Sequence, residues 1–319
     1  MKHNLKITLI LLAMFFITQL IGLAVIYSYS PKQTQTLVNG TLTNVTITPQ
    51  LPYGMQPPEM NPQISVTSII ISMLIAVLLI FLLMKIKATI FLKFWFFFVV
   101  LIALSLTFNS VLMNLPLPYA TYISLVIALP LAILKIFKRN VIVHNLTELL
   151  IYPGIAAVFV PILGMWSVVI LLILISIYDI YAVWHAGFMQ KMAKFQINQL
   201  GIFGGFLIPT ITKKQKEEID LLREKIKEKK ISKKSLKKKR IKISLAILGG
   251  GDVAFPMIMA GVVLRSLGLI PALIVPLFAT IALFLLFIFA KKEKPYPAMP
   301  FLTAGCLLGL LVGYLVSLF

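Results

Sequence analysis

An all-α polytopic membrane protein with nine transmembrane helices, its N-terminus cytoplasmic and its C-terminus external, is predicted by three observations on this 319-residue chain. Hydrophobic residues make up 60% of it and charged residues 13%, a balance too apolar for a soluble domain. The apolar residues gather in runs of about 20, the length that crosses a hydrocarbon core. The lysines and arginines behind the net charge of +20 cluster between those runs. That is the pattern of cytoplasmic loops rather than of a nucleic-acid-binding surface.

The first run, at about residues 7–27, follows Lys2 and Lys6. It is longer than a signal-peptide core and no small-residue cleavage site follows, so it reads as a retained span. Residues 28–63, rich in Thr, Asn, Gln and Pro, read as an external loop. Within it Asn39 with Thr41, and Asn44 with Thr46, match the glycosylation acceptor triplet. Further spans are expected at about 64–84, 91–113, 116–137 and 146–163. Lys85 and Lys87 close the second span, and Lys135, Lys138 and Arg139 separate the fourth from the fifth. Glu148, near the start of the fifth, reads as a snorkelling or capping residue.

The sixth span begins near Met165 and carries Asp179 toward Lys191. Residues 188–211, interrupted by Gly201, Gly204 and Gly205, read as a re-entrant or interfacial piece. Residues 213–242 hold 15 basic and five acidic residues, half of the net charge. This segment reads as a solvated linker, helical around 217–230, whose expected neighbours are anionic lipid headgroups. The seventh span starts near Ile241, the eighth covers about 267–290 and the ninth about 298–319. With nine crossings every basic cluster falls on one side and only Lys32 and Arg265 on the other, which puts the N-terminus inside. The chain then divides into an N-terminal six-span part (1–184), a cytoplasmic basic loop (185–240) and a C-terminal three-span part (241–319).

Two aspartates stand inside apolar runs, Asp179 and Asp252; the remaining one, Asp220, is in the basic loop. A charged carboxylate in hydrocarbon costs roughly 2.5 kcal/mol or more, so each needs a partner or a task. If both stretches are helical, Asp179 lies about 18 Å from Lys191 and Asp252 about 15 Å from Lys242, depths at which they can face each other. Two facing carboxyls in low dielectric hold one proton between them. One can then deprotonate water while the other protonates a peptide carbonyl oxygen. Gly249 and Gly251, lacking Cβ, would let another backbone approach. The same aspartates and a glycine-broken helix would also serve a cation-coupled transporter or channel. Such a protein should show an internal repeat, and none is visible. His3, His144 and His185 form no His-Glu-x-x-His arrangement, and Cys306 is the only cysteine, so neither metal nor cofactor is expected.

Tyr178 precedes Asp179; Gly249, Gly250 and Gly251 precede Asp252; Pro297, Ala298 and Met299 open the last span. In these residues the chain resembles the presenilin and signal peptide peptidase family of intramembrane aspartyl proteases, and within it an archaeal-type presenilin homologue. That family carries Tyr-Asp in its sixth span, Gly-x-Gly-Asp in its seventh and Pro-Ala-Leu at the start of its ninth; here Met299 replaces the leucine. The prepilin-type peptidases share only the glycine-aspartate signature. The resemblance implies Asp179 and Asp252 as the catalytic pair and Tyr178, Gly249, Gly250, Gly251, Pro297, Ala298 and Met299 as substrate-binding positions. It further implies an extended substrate added as a strand near the site. The inward N-terminus, as in presenilins, implies single-span substrates with an external N-terminus, in the plasma membrane of a prokaryote. A homo-oligomer is compatible with it.

Overall fold

The computed structural model describes residues 5–38, 41–47, 49–55, 88–138, 140–186, 201–210, 244–290 and 296–318, with scattered positions between 67 and 86. Eight helices among the described residues are long and apolar enough to cross a membrane. They are α1 (Leu5–Tyr29), α2 (Thr89–Leu112), α3 (Ala120–Phe137), α4 (Val141–Phe159), α5 (Met165–Tyr181), α6 (Gly250–Leu267), α7 (Leu269–Phe289) and α8 (Met299–Val316). A single 3-10 turn, Val160–Ile162, extends α4, and a π turn, Ala182–Ala186, follows α5. The second expected span, 64–84, lies mostly outside the described residues; its described positions are helical. The charged segment 213–242 is likewise outside the described residues.

The helices are predominantly apolar on the sides that face outward, and their few polar side chains, such as Gln19 and Glu148, are buried inside the bundle. On α7 the large residues Ile270, Leu277, Ile281 and Phe289 face outward, while Ala272, Val275 and Ala279 are fully buried. Small residues inside let helices approach closely where lipid offers no hydrophobic drive. Gly305, Gly309 and Gly313 do the same on α8: a Cβ on Gly309 would stand 2.8 Å from the backbone of Val275. The larger core is wound around α6, which buries Val253 and the unbroken run 256–264 against α1, α4, α5, α7 and α8. A second core joins α2, α3 and α4. α4 contributes to both, through Tyr152 and Ala156 to the first and Ile151 to the second.

Two antiparallel ribbons are added to the expected helical bundle. β1 (Lys32–Val38) pairs with β2 (Thr41–Ile47) inside the polar segment read as an external loop, where threonine and valine suit a pleated strand. Asn44 lies on β2, and Asn39 is outside the described residues. β3 (Gly205–Thr210) pairs with β4 (Ser244–Gly249), Gly205 opposite Gly249 and Thr210 opposite Ser244. Part of the stretch read as re-entrant or interfacial is therefore a strand. The seventh span also does not begin as a helix near Ile241: residues 244–249 are extended and the helix starts at Gly250. At about 3.3 Å per residue those six positions cover about 20 Å instead of about 9 Å, so Asp252 lies farther from Ser244 than a helix would put it.

Candidate active site

Asp179 is in the last turn of α5, and its side chain is buried. A carboxylate near a helix C-terminus meets the unfavourable end of the helix dipole. The compensation comes from α8. Its N-terminal cap, Ala298, has no side chain able to cap, and its first turn holds no acidic residue. The backbone N–H of Met299 donates to Asp179 Oδ2 at 3.0 Å, and that of Ala298 also bonds the carboxylate. Asp179 thus caps a helix distant in sequence, and the turn at 297–299 aims those donors. A hydrogen bond of 2.7 Å between Ser176 and Thr303 ties α5 to α8 one turn away.

Asp252 is half-buried in the first turn of α6, the favourable end of that dipole. Gly249 caps the helix in an extended conformation, which makes Asp252 the third helical residue. From there its carboxylate reaches back to the Gly249 N–H, one half of a capping box. α5 and α6 are in contact, and the charge of Asp179 is felt at Asp252. Among the described residues no ion pair involves either one.

The glycines differ in what they do. A Cβ on Gly250 would stand 2.6 Å from the hydroxyl of Tyr152, so α4 and the start of α6 meet there at a distance only glycine permits. A Cβ on Gly249 would lie 3.1 Å from the Asp252 carboxylate. Gly251 is exposed, and a Cβ there would make an ordinary contact with Phe255. Tyr178 is exposed beside Asp179, Pro297 and Met299 are buried, and Ala298 is half-buried.

Three features of the site escape a reading of motifs. Gln19 of α1, fully buried, donates to the carbonyl of Val253 at 2.9 Å, next to Asp252. Tyr152 packs on Gly250. Glu148, expected to snorkel or cap, is instead buried in an ion pair with Lys135. The available signal was spacing: His144, Glu148 and Tyr152 recur every fourth residue and so share one face of α4.

The sequence matches the family described as signal-peptide peptidase, presenilin aspartyl protease over residues 38–318. No curated protein has a matching sequence. Two solved structures of a presenilin family intramembrane aspartate protease share the fold. The one in the C222 space group has 18% identity and a TM-score of 0.59 over 97% of this chain and 99% of that one. The one in the P2 space group has 19% identity and a TM-score of 0.58 over 96% of each. The match covers most of the chain, and this multi-pass integral membrane protein belongs to the signal-peptide peptidase and presenilin aspartyl protease family, as an aspartic endopeptidase.

Proposed function

We propose that the protein hydrolyses peptide bonds within transmembrane segments of single-span membrane proteins, with Asp179 and Asp252 as its acid and base. What supports this reading is that the two carboxyls come from the contacting helices α5 and α6, that Asp179 acts electrostatically on Asp252, and that backbone N–H groups and no cation among the described residues hold them. In the reaction the ionised carboxylate takes a proton from water as its oxygen adds to the scissile carbon. The protonated partner gives its proton to the carbonyl oxygen. As the resulting diol collapses, one hydroxyl gives its proton to the dyad and becomes the new carbonyl, the C–N bond breaks, and the departing nitrogen takes up a proton from the dyad, which is left with one as at the start.

The substrate must be extended for this, and β4 runs directly into Gly250 and Asp252. We assign its outer edge, with the turn at 297–299, Tyr178 and residues 249–251, to substrate docking by strand addition. Nine crossings are read from the apolar runs, and a cytoplasmic N-terminus with an external C-terminus from the distribution of basic residues between them. They imply substrates with an external N-terminus, a prokaryotic plasma membrane, and a basic segment within 185–240 that joins the six-span and three-span parts and lies against anionic headgroups. Purified protein in detergent, incubated with a single-span substrate, should cleave it, and an aspartyl-directed transition-state analogue should block cleavage. Turnover should fall at alkaline pH, where the shared proton is lost. Analogue-insensitive hydrolysis, or none, would sink the reading.

A further inference from the structure

The polar face of α4 meets the outer edge of β3. Lys135, which can only donate, lies 3.2 Å from Nδ1 of His144, so that nitrogen accepts and Nε2 carries the ring proton. Nε2 donates to the carbonyl of Gly205 at 2.7 Å. Glu148 pairs with Lys135 and lies 3.9 Å from Nε2 of His144. One residue on, Asn145 grips Leu207 twice: its Nδ2 donates to the Leu207 carbonyl at 2.8 Å, and its Oδ1 accepts the Leu207 N–H at 3.0 Å.

Gly205 and Leu207 are two apart, so their peptide groups leave the same edge of β3, the one turned away from β4. Pro209, which has no N–H, is the next member of that row. The edge a third strand could have used is therefore occupied by side chains of α4. By the same alternation, Leu245, Ile247 and Gly249 turn their peptide groups to the outer edge of β4, and the Gly249 N–H is the one bonded by Asp252. A ribbon slipped by two residues so that Pro209 took the place of Leu207 would lose the N–H bond to Asn145, because proline has none.

We infer that His144 and Asn145 are positioning residues for proteolysis: they close the β3 edge, confine strand addition to β4, and set the register in which β4 delivers Asp252. This rests on the proposed function. The test uses the full chain in detergent with a single-span substrate, and reads kcat, KM, the bonds cleaved and the thermal midpoint. Asn145→Leu, alike in branching but unable to hydrogen-bond, and His144→Ala should lower kcat by up to about a hundredfold and add cleavage at bonds two residues from the original one. The thermal midpoint should hold. His144→Gln, which keeps an amide able to donate to Gly205, should restore the single cleavage position. Unchanged kcat and cleavage positions in both variants would overturn the inference while leaving wild-type proteolysis intact. Loss of turnover in step with loss of folded protein, at unchanged positions, would overturn it too. Absence of hydrolysis by the unsubstituted chain would remove this inference and the proposed function together.

Discussion

Among the described residues, two places hold carboxylates inside the bundle, and they solve the same problem in opposite ways. Glu148 is neutralised by Lys135, and the pair becomes part of the scaffold between α3 and α4. Asp179 and Asp252 have no such cation among the described residues; backbone N–H groups from α8 and from Gly249 take its place. A lysine fixes a carboxylate in one charge state, whereas N–H donors orient it and leave a proton free to come and go. The contrast teaches that burial alone does not decide what a carboxyl can do: what surrounds it does.

The largest expected effect lies on the unpaired side. Asp179→Asn or Asp252→Asn should lower turnover by about a thousandfold, with the thermal midpoint preserved. Substantial hydrolysis by either purified variant would erase the contrast. On the paired side, Glu148→Ala leaves Lys135 buried without a counter-charge and should cost about 3 kcal/mol of stability. The double variant Lys135→Met with Glu148→Leu should recover most of that loss in thermal unfolding. Equal midpoints for the single and double variants would show that the pair is not structural. The smallest effect sharpens the boundary between the two regions. Gly250→Ala should lower stability by about 1 kcal/mol through contact with Tyr152. Adding Tyr152→Phe removes the nearest atom and should return part of it; no difference between these variants would mean that the close approach is unimportant.

Much of the candidate site was legible in the chain because its signals are local. Asp179 and Asp252 are conspicuous in hydrocarbon, and the glycines and the 297–299 turn stand beside them. The α4 cluster was not, because Lys135, His144 and Glu148 sit at the edges of apolar runs and look like boundary residues until α3 and α4 are packed. Gln19 gave no signal of its own: its partner is the carbonyl of Val253, far along the chain.

Hydropathy and charge were enough by themselves to place eight apolar spans, apart from where the helix after Ser244 begins, and to single out both aspartates, since transfer into lipid depends on side chains and not on partners. Only the tertiary structure decided that residues 244–249 are a strand. Leu245, Ala246, Ile247 and Leu248 are all apolar, so their pattern favours neither period. The choice was made by pairing with β3 and by the α4 side chains that hold it, contacts that exist only once the bundle has formed.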